Sequence, residues 1–141
     1  MRRFAFLGAL VALLFSAPAL AEVVVKISLS TQTMTVAVDG HDAHMWPVST
    51  GVRGTPTGTF GEKFAQKLVF SPNHRSSIYG GAPMPHSIFY SGNYAIHGTM
   101  QEHLLGRRAS KGCVRLSRVN AAVLYGLVMQ RRQETRIVIE R

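Results

Sequence analysis

Gly51, Gly54, Pro56, Gly58 and Gly61 fall within eleven residues, and Pro72, Gly80, Gly81, Pro83 and Pro85 follow in the next two dozen. Helix-breaking residues at this density forbid a long helix through the middle of the chain. The centre must be built from strands, turns and loops. Before it, residues 23–29 and 33–38 are β-branched and partly alternating, with the hairpin signal Asp39-Gly40 behind them. Residues 44–50 read as a third strand, with Pro47 arguing for an edge or a bulge. Residues 51–61 read as loop, 67–70 as a short strand and 71–85 as turn-rich, the best candidate for a lid. Residues 87–90 and 94–97 read as a hairpin, and 98–112 as a polar, basic loop. The one helix starts at Ser117, an N-cap residue, and carries Ala121, Leu124, Tyr125 and Val128 on one face. Arg131 and Arg132 are expected near its C-terminal end, where the dipole favours cations. Residues 137–139 form a last strand. The pattern predicts a mainly β domain, a sandwich or open barrel with one packed helix. Trp46 and Tyr125 are expected in its core.

The first residues are of another kind. Met1-Arg2-Arg3 leads into twelve apolar residues and glycines, Phe4 to Phe15, and Ala19-Leu20-Ala21 supplies small residues at a cleavage site. This is the pattern of an export signal, with cleavage expected after Ala21. Twelve residues are too few to span a bilayer, which takes about 20, and no later segment reads as a span. Residues 22–141 are then a single domain, long enough for one core. Without Arg2 and Arg3, 14 basic residues face 7 acidic ones, a net charge of +7. That balance suits an anionic partner. Nucleic acid is not expected, because the chain carries an export signal and no nucleic-acid-binding motif. The anionic polymers and carboxylates of a cell envelope are the expected partners.

Cys113 is the one cysteine, sixteen residues after His97. An exported chain with an unpaired thiol is expected to use it. A thiol becomes a strong nucleophile as the thiolate, and an imidazole can take its proton and hold the pair as ions. His97 ends a predicted strand and opens the loop that leads to Cys113, so both groups can meet at one end of a sheet. The Gly98 carbonyl can accept from the other ring nitrogen and fix the tautomer. The amides of Gly112 and Cys113 can face a developing oxyanion. Arg115, two residues past the cysteine in an extended segment, points to the same side and can hold a carboxylate.

His97-Gly98-Thr99, followed by Ser110-Lys111-Gly112-Cys113-Val114-Arg115-Leu116 and a helix from Ser117, resembles the L,D-transpeptidase catalytic domain, the YkuD family. Ser49-Thr50-Gly51, Thr55-Pro56-Thr57-Gly58-Thr59-Phe60 and Met84-Pro85 extend the likeness over nearly all of residues 23–139. The resemblance implies a β-sandwich of the L,D-transpeptidase type with one packed C-terminal helix and a cysteine at the head of a cleft. It implies attack on the bond between an L-centre diamino acid and a terminal D-alanine in a peptidoglycan stem peptide. D-Alanine leaves, and the thioester passes to an amine of another stem or of an envelope protein. Water as acceptor makes the enzyme a carboxypeptidase, and a non-catalytic wall-binding module is the reading from another class. By carry-over Cys113 is the nucleophile, His97 the acid and base, Gly98 the orienting carbonyl, and Gly112 with Cys113 the oxyanion amides. Thr99, Ser110, Lys111 and Arg115 are the expected substrate contacts. Lys111 stands where many members have histidine, and Arg115 where many have asparagine.

The other five histidines suggest no metal site. His41 and His44 are three apart, the rest are scattered, and no second cysteine is available. No cofactor is expected. Arg107 and Arg108 with Lys111 form a basic cluster ahead of the cysteine, either a solvated loop or a grip on substrate carboxylates.

Overall fold

The computed structural model describes residues 22–64 and 66–141. The expected export segment lies outside them. β1 (Val23–Ser28), β2 (Thr33–Val38) and β3 (His41–Pro47) make an antiparallel meander. Asp39 at φ 51° and Gly40 at φ 77° form the tight turn between β2 and β3, a geometry whose twist matches that of a hairpin. β3 starts earlier than expected and stops at Pro47, short of Thr50. It is an edge strand, so the missing proline N–H leaves no ladder bond broken.

The middle of the chain departs most from expectation. The loop at 51–61 contains a short edge strand, β4 (Gly58–Phe60). β5 (Val69–Arg75) and β6 (Pro83–Ser91) form a long hairpin, so 71–85 is strand at both ends and turn only around 76–82. Its prolines misled because of where they sit. Pro72 is on β5, an edge strand, and β7 (Tyr94–Gly98) pairs only with the 88–91 half of β6. Pro83 and Pro85 therefore stand where β6 has a neighbour on one side only. β8 (Val114–Leu116) runs parallel to β7.

α1 (Arg118–Gln130) begins where the Ser117 hydroxyl accepts from the Asn120 amide at 3.1 Å. It buries Ala121, Leu124, Tyr125 and Val128 and packs on β6 and β7. Arg131 is its C-cap, but Arg132 turns away from the helix end. Its guanidinium donates to the Glu62 carboxylate at 2.9 Å and to the Leu68 carbonyl at 2.9 Å. β9 (Thr135–Glu140) then enters the first sheet, parallel to β1 and antiparallel to β4.

The result is mostly β: a five-stranded sheet in the order β3-β2-β1-β9-β4, a four-stranded sheet in the order β5-β6-β7-β8, and one helix. Alternation sends Val23, Val25, Ile27, Met34, Val36, Ile137 and Ile139 of the first sheet into a single core, where they join Ile88, Ile96, Val114 and the α1 face. Phe60 and Tyr90 join the two sheets, their rings 4.9 Å apart, and Tyr125 meets Phe70 edge to face at 5.5 Å. Trp46 is only partly buried, stacked on His44 at 4.5 Å.

Candidate active site

β7 and β8 set the site. Their register pairs Ile96 with Val114, His97 with Arg115 and Gly98 with Leu116. Ile96 and Val114 face the core, so His97 and Arg115 project from the opposite face. Cys113 is the residue before β8, on the same side as Arg115. His97 and Cys113 are thus diagonal neighbours, roughly 8 Å apart at Cα from strand spacing and rise.

His97 is 5% exposed. Its Nδ1 donates to the Gly98 carbonyl at 2.7 Å, which leaves Nε2 as the basic nitrogen. Burial pushes the imidazole down to about 4. The Gly98 bond opposes this, and Arg115 and His74 reinforce it. Burial also raises the Cys113 thiol above its ordinary range, opposed by a backbone hydrogen bond from Ala95 and by the Arg115 charge. The sulfur points to the Asn93 carbonyl, 3.9 Å away in the β6–β7 turn, and no hydrogen bond joins it to His97. The resting pair is a neutral thiol beside a neutral imidazole, where the sequence had suggested a pair of ions. Both groups lie in low dielectric with a cation nearby, and that combination disfavours imidazolium.

The β5–β6 turn folds over this face. On one side is a cavity of about 380 Å³ lined by Met84, His97, Thr99 and Arg115. On the other are cavities of about 320 and 350 Å³ that both reach Cys113. Tyr79 lines all three. Its hydroxyl accepts from the Lys111 amide at 2.7 Å. The Lys111 ammonium lies 5.0 Å from the ring centroid, and the Arg115 guanidinium 5.3 Å from it. Sequence reading passed over Tyr79; its only signal is an aromatic between a serine pair and a glycine pair.

The cysteine loop is held from behind. Ser49 and Arg115 exchange backbone hydrogen bonds at 3.0 and 2.8 Å, and the Thr50 carbonyl accepts from Ala109 and Ser110. Gly51 sits so close that a Cβ there would meet the Gly54 oxygen at 2.0 Å and the Gly112 Cα at 2.8 Å. Gly112 itself has φ +139° with the Tyr94 ring 2.5 Å from where a Cβ would be, so no other residue fits. Ser110 is 2% exposed; its hydroxyl donates to the Cys113 carbonyl at 2.6 Å and accepts from the Gly112 N–H at 3.1 Å. The Gly112 amide, expected to face an oxyanion, is therefore engaged by Ser110. Ser110→Ala is expected to lose about 1–3 kcal/mol of stability in urea unfolding and to slow acylation with little change in KM. A raised KM at unchanged stability would instead mark Ser110 as a substrate contact.

The remaining expected contacts divide. Thr99 lines the His97 cavity, and its hydroxyl accepts from the Gln101 amide at 3.0 Å. Lys111 is exposed at the mouth beside Cys113. Arg108 turns away, donating to the Leu29 carbonyl at 3.2 Å and towards Gly51. Its part in the basic cluster is to clamp the loop. Among the described residues no three of His, Cys, Asp and Glu gather as a metal site would need.

Residues 22–139 match the YkuD family, described as the L,D-transpeptidase catalytic domain. Among solved structures the chain is similar to an L,D-transpeptidase from Mycobacterium smegmatis, with TM-score 0.72 and 26% identity over 86% of this chain and 59% of that one. An L,D-transpeptidase from Mycobacterium tuberculosis H37Rv gives TM-score 0.71 at 22% identity, covering 86% and 58%. L,D-transpeptidase 3 from Mycobacterium tuberculosis, in complex with a faropenem-derived adduct, gives 0.71 at 20%, covering 86% and 61%. The chain spans about three fifths of the length of each. No curated protein matches it.

Proposed function

Because the chain belongs to the YkuD family of L,D-transpeptidase catalytic domains, we propose that it cleaves a stem peptide of peptidoglycan through a thioester on Cys113 and passes the acyl group to an amine. The observation that carries this reading is the pairing of β7 with β8. It sets a half-buried thiol and a buried, neutral imidazole on one sheet face, bordered by cavities that open to solvent.

In this mechanism His97 Nε2 takes the thiol proton as the sulfur turns towards it and attacks the carbonyl of the L-centre diamino acid. The Cys113 amide faces the developing oxyanion, joined by the Gly112 amide when Ser110 releases it. The C–N bond breaks, and the leaving D-alanine nitrogen takes the proton from His97. An incoming amine then attacks the thioester, gives its proton to His97, and the thiolate leaves and is reprotonated. Gly98 keeps Nδ1 protonated throughout, so each transfer uses Nε2. Thr99, Lys111 and Arg115 are the substrate contacts.

Residues 1–21 serve as an export signal in this reading, and the envelope is the site of action. The described residues include no helix long and apolar enough to cross a membrane. The net charge of +7 holds the domain to the anionic wall.

Incubation with purified disaccharide tetrapeptides tests the proposal by mass. Release of D-alanine with formation of dimers linked through the third residues is expected. Trimmed tripeptides alone would make water the acceptor, and no release of D-alanine would overturn the assignment.

A further inference from the structure

A cavity of about 380 Å³ lies away from the cleft and shares no lining residue with the three cavities there. Leu29 and Ser30 of the β1–β2 turn, Thr55 and Thr57 of the loop before β4, Arg108 of the loop before Cys113, and Arg141 after β9 line it. Two guanidiniums and three hydroxyls thus converge from four segments of the chain, and no acidic side chain stands among them. None of the ion pairs of the described residues includes Arg108 or Arg141.

Several of these groups have donors to spare. Arg108 donates to the Leu29 carbonyl at 3.2 Å and to the Gly51 carbonyl at 3.5 Å. Both acceptors are neutral, both bonds are long for a charged donor, and the rest of the guanidinium fork is left over. Thr55 is 7% exposed, and its hydroxyl accepts from the Gly51 N–H at 2.9 Å. That bond occupies a lone pair and leaves the hydroxyl proton to be donated. Cations and hydroxyl donors around one cavity, with no acid among them, make a receptor for an anion. The number of donors says which anion. A planar carboxylate offers two oxygens on one edge. A tetrahedral phosphate offers three or four, directed apart, and can meet donors that arrive from several segments at once.

We propose that this cavity is an anion site, separate from the catalytic cleft, that takes a phosphate group as the free ion or as an ester. Arg108 and Arg141 neutralise its charge, and the hydroxyls of Ser30, Thr55 and Thr57 share its oxygens. The site adjoins the support of the cysteine loop. Arg108 bridges the carbonyls of Leu29 and Gly51, and Gly51 lies against Gly112. A bound phosphate supplies the counter-ion that this bridge lacks.

The test is a titration of the protein with inorganic phosphate, followed through its amide resonances, with chloride at equal ionic strength as the control. Saturable shifts are expected at Ser30, Thr55 and Thr57, with a dissociation constant on the order of 1 mM. Acetate is expected to bind about tenfold more weakly. Arg108→Gln is expected to weaken phosphate at least about tenfold. Arg141→Gln, at the end of the chain and outside every described strand and helix, is expected to do the same and keeps the test open should Arg108→Gln unfold. Shifts confined to His97, Thr99 and Arg115 would place the anion in the cleft and overturn the proposal, as would shifts that chloride reproduces. Acetate bound as tightly as phosphate would overturn the choice of anion. Two further arms identify the source of the group. Vesicles of phosphatidylglycerol that sediment the parent but not Arg141→Gln, while phosphatidylcholine vesicles sediment neither, support a lipid headgroup. Binding of glycerol 3-phosphate at Thr55 and Thr57 without sedimentation supports a soluble or polymer-borne ester. The titration uses no turnover, so its failure leaves the transpeptidase reading untouched.

Discussion

Cys113→Ala is expected to release no measurable D-alanine and to form no acyl-enzyme by intact mass, a fall of at least about 10⁴-fold. The size of the effect follows from covalency: Cys113 is the only thiol in the chain, and the variant removes it from the cleft. The variant is also expected to keep its fold. The sulfur has the weak 3.9 Å contact to the Asn93 carbonyl and a backbone hydrogen bond from Ala95, and it faces cavities rather than the packed core. Unfolding in urea should therefore change by about 1 kcal/mol or less. Turnover at the parent's rate by a folded Cys113→Ala protein would end the proposal. Loss of turnover together with loss of the fold would have to be separated by Cys113→Ser, which preserves the shape.

His97→Ala is expected to lower acylation at pH 7 by about 10²- to 10⁴-fold, and its pH profile is the sharper readout. In the parent the imidazole is pushed down to about 4, so the base is present in its active, neutral form throughout the neutral range. The thiol is pushed up, so almost no thiolate exists there without help. The acylation rate of the parent should be nearly flat between pH 6 and 8. Without His97 the rate should follow the thiolate fraction and rise about tenfold per pH unit, so the gap closes in alkali. A parent with the same tenfold slope would remove the base role from His97. The buried imidazole has a second consequence. Its folded pKa lies below the 6.5 of an ordinary histidine, so the unfolded chain binds the proton first. His97 therefore withdraws stability as pH falls from 6.5 to about 4, by about 3 kcal/mol in all. His97→Ala should be less sensitive to acid over that window.

What could be read in advance depended on how local the deciding interactions are. α1 was legible because its capping serine and its apolar face are fixed by spacing alone, and Ala121, Leu124, Tyr125 and Val128 are indeed its buried residues. β1 and β2 were legible for the same reason, with alternation as the spacing. β4 and β5 were obscured by Gly58 and Pro72, residues that an edge strand tolerates and a central strand does not. Edge position is a property of the whole sheet. The motif around Cys113 singles out that loop, but the direction of the sulfur depends on the Asn93 carbonyl, which the β6–β7 turn brings in from twenty residues away. Tyr79 was hidden most completely. Its hydroxyl meets an amide 32 residues on; residues 71–85 were the expected lid, but nothing near Tyr79 marks it as the residue that reaches the cysteine loop. Ser110 was noticed for its place in the motif, whereas its hydroxyl ties Gly112 to Cys113 within its own loop.

β1 and β9 lie side by side, parallel, inside the five-stranded sheet. The hairpins on either side of the molecule can zip up as soon as they are synthesised, but this ladder joins segments more than a hundred residues apart. Closing so long a loop is slow, and its entropy must be lost before the ladder forms. A polypeptide threaded N-terminus first through a ribosome tunnel or a translocation pore would carry β1 with a bare edge until residues beyond 135 emerged. Such a chain stays unfinished, and so stays threadable, until nearly all of it has passed through.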